Sequence, residues 1–323
     1  MIQVTNLTKV YGKNTALDHV SFHVKKGQVL GLLGPNGAGK STTMNILTGY
    51  ISATDGEVLI NGIDMFEEPE EAKKHIGYLP EIPPVYVDMQ VVEYLQFVAE
   101  LKQVPKAERK QMVTDIMEAV GVTHMAKRLI KHLSKGYRQR VGIGAAMIGY
   151  PEIIILDEPT VGLDPAQIIE VRELIQKLSK EHTVILSSHI LSEVSAVCDH
   201  IIIINKGKLV ASDTPENLEK NMQTGNRLAL QVKGEAGNVR ALLKAQAGVK
   251  EVYVQGEENG VAHLVISSNE DADVREAVFY CLAENHCPIL EMNMSKLSLE
   301  DIFLEMTKVE AESETETAKE EEA

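Results

Sequence analysis

The chain has 323 residues, 44% hydrophobic and 24% charged, a balance that suits a soluble globular protein with material for two domains. No run of 18 apolar residues exists, and the nearest candidate, 141–156, is interrupted by Gly149, Pro151 and Glu152, which excludes a membrane-spanning helix. A net charge of −15 argues against a general nucleic-acid binder.

The first residues, MIQVTNLTKVYG, lack the basic-then-apolar layout of a signal peptide. The expectation is a cytosolic protein whose membrane role, if it has one, runs through a partner. Part of the negative charge is local: 310–323 carries seven Glu against one Lys and reads as a disordered, solvated tail. The three cysteines, Cys198, Cys281 and Cys287, form no C-x-x-C pair, which suits a reducing compartment. His286 beside Cys287 is too small a ligand set for a metal site.

Residues 1–30 read as an antiparallel opening, with strands at Ile2-Gln3-Val4 and Val20–Val24 and a turn at Tyr11-Gly12. Tyr11 could stack on a nucleotide base, but taken alone it reads as a half-buried strand-end tyrosine. Val29–Leu33 is a buried strand. After it comes Gly34-Pro35-Asn36-Gly37-Ala38-Gly39-Lys40-Ser41-Thr42, which fits G-x-x-x-x-G-K-[ST], and a helix starts near Lys40. The glycines let successive N–H groups curl inward at phosphate oxygens, Lys40 can reach the β- and γ-phosphates, and the Ser41 hydroxyl can ligate Mg²⁺. The helix that follows adds the positive end of its dipole.

Asp55-Gly56 and Asn61-Gly62 are turn signals around the strand Glu57–Ile60; Ile76–Leu79 is a short strand, and Pro80–Pro84 must be a loop. From Val91 to Lys131 the period becomes helical. Val91, Tyr94-Leu95, Val98 and Leu101 mark one apolar face, and Met112, Ile116-Met117 and Val120 mark a second helix opened by Pro105 and stopped at Gly121. Ser134 is a good N-cap for a helix over Arg138–Ile148. Ile153–Leu156 reads as a strand buried on both faces. It delivers Asp157 and Glu158 to its C-terminal end, where one carboxylate can hold Mg²⁺ through water and the other can orient or deprotonate an attacking water. Two plain turn carboxylates would look the same, though a phosphate loop in the same chain needs such groups.

Ile168–Leu178 is amphipathic, Val184–Leu186 is a buried strand carrying Ser187, Ser188 and His189 at its end, and Ile201–Ile204 is another strand. Asn205-Lys206-Gly207-Lys208 resembles a guanine-reading N-K-x-D string but lacks the Asp, so it reads as a turn. Gly225 marks a domain boundary. Beyond it the order strand, helix, strand, strand, helix, strand is that of a ferredoxin-like unit, followed by a last helix over Ser298–Thr307. No catalytic constellation is visible in this half.

The phosphate loop alone leaves kinases, GTPases and helicases open. The deciding string is Leu133-Ser134-Lys135-Gly136-Tyr137, which looks like the L-S-G-G-Q signature and precedes Ile153–Thr160. Gly162-Leu163-Asp164-Pro165 resembles a D-loop, and Ser188-His189 a switch histidine. Residues 1–220 thus resemble the ATP-binding subunit of an ABC transporter. That resemblance implies an α/β P-loop ABC ATPase domain at 1–220, with a RecA-like core, an antiparallel β subdomain and an α-helical signature subdomain at about 85–150. A small α+β ferredoxin-like domain at 225–308 and an acidic tail at 309–323 would follow.

It also implies residue roles. Tyr11 would stack on adenine, the loop from Gly34 to Thr42 would wrap the phosphates, and Ser41 and Asp157 would hold Mg²⁺. Glu158 would be the general base, His189 would contact the γ-phosphate, and Asp164 would link two active sites. Two subunits would sandwich two ATP molecules head to tail, so that Ser134 and Gly136 of one complete the site of the other. Lys135 and Tyr137 stand where the common form has Gly and Gln; Lys135 would add positive charge near the phosphates. Glu81 stands at the usual Q-loop glutamine, from where it would approach Mg²⁺ or the water. Tyr78–Glu81, the string L-S-K-G-Y-R-Q-R and the ending Leu299–Leu304 look like the branch of bacterial exporters of drugs, polysaccharides, lipids and gliding-motility components, whose permease is a separate polypeptide. The implied setting is the cytoplasmic face of the membrane, as a homodimer or paralogue heterodimer. The other reading, a soluble ABC ATPase of ribosomes or DNA, is disfavoured by the single phosphate loop, the lack of heptads and the negative charge.

Overall fold

The computed structural model describes residues 1–222, 227–268 and 273–295. The chain divides into two compact units, Met1–Pro215 and Glu216–Ala323. Gly225, the expected helix Ser298–Thr307 and the acidic tail lie outside the described residues.

The first unit opens with β1 (Ile2–Tyr11) and β2 (Asn14–Val24), a hairpin longer than the two short strands expected. Its register shifts near Asn6 and His19, both at positive φ, which breaks the two-residue alternation a sequence reading relies on. Then come β3 (Val29–Leu33), α1 (Lys40–Leu47), β4 (Asp55–Ile60), β5 (Ile63–Asp64), α2 (Pro69–Lys74) and β6 (Ile76–Leu79). A helical excursion follows: α3 (Val91–Leu101), α4 (Lys106–Ala119) and α5 (Lys135–Met147). The chain returns through β7 (Ile153–Leu156), α6 (Pro165–Leu178), β8 (Thr183–Ser188), α7 (Leu191–Ser195), β9 (His200–Asn205) and β10 (Lys208–Asp213), and α8 (Pro215–Met222) begins at the boundary of the two units.

Two sheets result. The first is antiparallel, in the order β2-β1-β4-β5; the second runs β10-β9-β3-β8-β7-β6 and is parallel from β9 to β6, with β10 antiparallel at its edge. Ile2, Val4, Val58 and Ile60 of the first sheet, Met44, Ile46 and Leu47 of α1, and Leu30, Leu32, Ile202 and Ile204 of the second share one core. The four residues of β7 are fully buried, as their unbroken apolar run requires of a central parallel strand. Each such side chain contributes about 1.5–3 kcal/mol of burial energy.

The helical excursion packs on itself, with α3, α4 and α5 in mutual contact. The α3 side facing inward is Val91, Tyr94, Leu95 and Ala99. Val98 is only half-buried and Leu101 is exposed, so the apolar stripe expected through both drifts off the core in its last turn. α6 begins three residues earlier than its apolar period indicates, because Asp164 caps it and Pro165 occupies its first turn.

The second unit follows the order β11 (Arg227–Lys233), α9 (Ala236–Lys244), β12 (Val249–Glu258), β13 (Val261–Ser268), α10 (Arg275–Glu284) and β14 (Ile289–Ser295). Its sheet is antiparallel throughout, in the order β12-β13-β11-β14. Val239, Leu243, Val278 and Leu282 of the helices close over Leu228, Leu230, Leu264 and Ile266 of the strands. Among the described residues, no helix is long and apolar enough to cross a membrane.

Candidate functional site

Parallel strands collect ligands beyond their carboxyl ends, and four neighbouring strands here end in polar loops. β3 runs into Gly34–Thr42, β8 into His189, β7 into Asp157 and Glu158, and β6 into the loop bearing Glu81. These loops meet at a cleft of about 550 Å³, lined by Asn36, Gly37, Gly39, Lys40, Ser41, Thr42, Glu81, Glu158 and His189, among others.

The floor of the cleft is the start of α1. Gly39 precedes the helix with φ 110°, a left-handed conformation that a side chain would strain. No side chain caps the helix and its first turn holds no acidic residue, so its leading N–H groups are open to an anion. Lys40 is almost fully buried. Its ammonium donates to the carbonyls of Gly34 (2.8 Å) and Pro35 (3.3 Å) and lies 3.4 Å from Glu158 Oε1.

Glu158 is also buried and takes φ 47°, rare for a residue with a side chain. Its amide donates to Ser187 Oγ at 2.9 Å, and its Oε2 lies 3.0 Å from His189 Nδ1. The carboxylate is therefore held between a buried ammonium and an imidazole that is 38% exposed. Ser187 Oγ donates in turn to Asp157 Oδ1 at 2.5 Å. Burial raises the Asp157 carboxyl above the usual range, while its hydrogen bonds with Ser187 and Ser41 pull the other way. Among the described residues no three His, Cys, Asp or Glu side chains converge as a metal site. A hydroxyl beside a carboxylate, as Ser41 and Asp157 stand, nonetheless suits a hard cation that draws its other ligands from phosphate and water.

Residues 17–161 match the ABC transporter family. The chain is 36% identical to the bacitracin transport ATP-binding protein BcrA of Bacillus licheniformis, over 95% of this chain and 97% of that protein. It is 33% identical to the linearmycin resistance ATP-binding protein LnrL of Bacillus subtilis (strain 168), over 95% and 98%. A solved dimeric post-hydrolysis state of the ATP-binding cassette MJ0796, bound to ADP and Pi, superposes with a TM-score of 0.61 at 25% identity, covering 66% of this chain and 98% of that one. The chain belongs to the ABC transporter family. It is an ATP-binding and ATP-hydrolysing subunit with the P-loop ABC ATPase fold.

The remaining residues of this ABC subunit singled out from sequence fall in three places. Gly34, Pro35 and Ala38 form the back of the phosphate loop, where Ala38 is buried. Tyr11 ends β1 opposite Asn14, a cleft-wall residue; it is 49% exposed with the Lys9 ammonium 5.1 Å from its ring centre. Ser134, Gly136 and Asp164 lie apart from the cleft. They line their own hollow of about 260 Å³ with Tyr137, Arg140, Gln167 and Glu170. Ser134 caps α5 by accepting from the Tyr137 amide at 3.4 Å, and Arg140 pairs with Glu170 across to α6. The Lys135 ammonium lies against Gly162, and the Tyr137 hydroxyl is 3.1 Å from His124 Nε2.

Sequence reasoning gave no role to Ser187, although a serine closing a run of buried aliphatic residues was a readable signal. It also passed over Asn14, Thr15 and Ala16, and it read Lys206-Gly207 as a bare turn. That turn, between β9 and β10, forms part of the cleft wall.

Proposed function

We propose that this chain drives export through a separate membrane permease, working as a dimer on the cytoplasmic face of the membrane. What supports the export direction is the nature of the relatives: a bacitracin transport protein and a linearmycin resistance protein, each matched over nearly its whole length. What supports the dimer is the dimeric state of the solved cassette. The copies would be two of this chain or this chain and a paralogue. The negative charge of the chain speaks against nucleic acid as the partner.

In this reading Gly34–Thr42 wraps the phosphates of ATP, with Lys40 on the β- and γ-phosphates and Tyr11 on the adenine. Ser41 and Asp157 hold Mg²⁺, with Glu81 at its approach; the ion would neutralise charge on the phosphate oxygens. Glu158 takes the proton of the attacking water and His189 contacts the γ-phosphate. The single observation that carries this reading is Glu158, held between Lys40 and His189 at the mouth of the phosphate loop. Ser134 and Gly136 complete the site of the other subunit and Asp164 joins the two sites. Their grouping in a separate hollow is what a head-to-tail pair needs, since one chain alone does not bring them to its own phosphate loop.

The ATPase domain is taken to span 1–220, with the helical signature subdomain at about 85–150. The second domain, 225–308, is read as ferredoxin-like from its element order and its antiparallel sheet, and 309–323 as a solvated tail. The test is a pull-down of tagged Glu158→Gln protein from cells in the presence of ATP. Recovery with a membrane polypeptide of about six apolar spans, each near 20 residues, supports the exporter reading and identifies the permease. Recovery with ribosomes or DNA in the soluble fraction overturns it.

A further inference from the structure

One buried carboxylate has no part in the roles above. Glu193 lies in the short helix α7 and is 7% exposed. Its Oε2 accepts hydrogen bonds from the Thr160 hydroxyl and from Ser188 Oγ, the latter at 3.2 Å. Ser188 Oγ itself accepts from the Ile190 amide at 3.1 Å. Thr160 follows Glu158 by two residues, and Ser188 immediately precedes His189. One oxygen atom thus ties the loop after β7 to the last residue of β8.

A lone carboxylate in a protein interior is costly unless donors surround it, and an aliphatic side chain would fill the space at less expense. Its presence is explained by what it holds. Glu158 sits at positive φ, a conformation that persists only where the surroundings over-determine it. Ser187 grips its amide from one side, while Glu193 fixes the following turn through Thr160. The helix carrying Glu193 cannot drift, because it lies hard against β3: a Cβ built on Gly31 would fall 2.0 Å from Val194 Cγ1. The strand that leads into the phosphate loop therefore also sets the height of Glu193.

We propose that Glu193 is a positioning residue for ATP hydrolysis, keeping Glu158 and His189 at their mutual 3.0 Å contact by binding Thr160 and Ser188 with a single carboxylate oxygen. The inference rests on the roles proposed for Glu158 and His189. Displacement of the base by a fraction of an ångström slows turnover, while nucleotide binding, which rests mainly on the phosphate loop, changes little. In the purified full chain, Glu193→Ala lowers kcat by roughly 30–100-fold with the KM and Kd for ATP within about threefold of wild type. Glu193→Gln retains a carbonyl acceptor and returns kcat to within about threefold. Thr160→Val lowers kcat in the wild-type chain and adds no further loss to Glu193→Ala.

An unchanged kcat in Glu193→Ala, a loss mirrored in Kd, or a Gln variant as slow as the Ala variant overturns the proposal. Glu158→Gln is assayed beside them. If it alone retains full turnover, the underlying assignment of the base has failed; if it collapses while Glu193→Ala does not, only the positioning role has. Should Glu193→Ala not fold, Thr160→Val and Ser188→Ala probe the same contacts from the other end, and wild-type kcat in both refutes the idea.

Discussion

Replacing Ser187 with alanine removes one oxygen atom, strands the Glu158 amide and leaves Asp157 with only Ser41 as a hydroxyl partner. Its hydroxyl donates to the buried Asp157 carboxylate and accepts from the buried amide of Glu158. Ser187 itself is fully buried. A hydrogen bond to an ionised group contributes about 1.5–3 kcal/mol, and a buried N–H left without a partner costs about 1–3 kcal/mol. The expected loss is therefore about 3–5 kcal/mol, which in a unit of this size lowers the melting temperature by roughly 6–20 °C.

The loss depends on pH. Burial raises the Asp157 carboxyl, so the folded chain pays for holding it ionised at neutral pH, and the Ser187 bond offsets part of that cost. Without Ser187 the carboxyl rises further and the penalty above its folded pKa grows. Below the folded pKa of the wild type the group is protonated in the folded state of both proteins, and this part of the loss disappears. Thermal unfolding followed by circular dichroism from pH 7.5 downward should show the gap between Ser187→Ala and wild type narrowing toward acid. A melting temperature within about 2 °C of wild type at neutral pH, or a gap that widens in acid, would refute the reasoning.

Three further outcomes are expected. Glu158→Gln should cut steady-state ATP turnover by about 10²–10⁴-fold while equilibrium binding, followed with a fluorescent nucleotide, is at least as tight as in wild type. Lys40→Ala should weaken nucleotide binding itself, measured by isothermal titration, because no other buried ammonium faces the loop among the cleft residues described. Gly77→Ala should yield little soluble protein, since its Cβ would lie 2.1 Å from the Ala146 carbonyl oxygen, a backbone atom that cannot step aside; full expression with an unchanged melting curve would count against the tight packing of β6 on α5.

The parts of the fold that could be read from sequence were those governed by local chemistry. The four apolar residues of β7, the strand–loop–helix around Lys40 and the Ser134 cap each announce themselves within a few positions. The order β9-β3-β8-β7-β6 does not, because pairing of β3 with β8 joins residues about 150 apart and nothing local encodes it. Bulges hid the true length of β1 and β2, and a cap supplied by Asp164 moved the start of α6. In the site, Lys40, Asp157 and Glu158 were visible from their place at strand ends and in the phosphate loop, and His189 from the resemblance of Ser188-His189 to a switch histidine. Thr160 and Glu193 were not, since the role proposed for them lies in which distant groups they touch, and Ser187 left only the faint signal of a serine at the end of a buried aliphatic run.

The contact between Lys40 and Glu158 carries a consequence for how an anion is received. The same ammonium that would greet a phosphate is already engaged by two carbonyls and a carboxylate. An arriving phosphate must win a contest for it, and each step the ammonium takes toward the newcomer strips Glu158 of its counter-charge. On the roles proposed above, the group that meets the phosphate and the group that meets the water are thus joined through one ammonium, so that neither can be altered without the other feeling it.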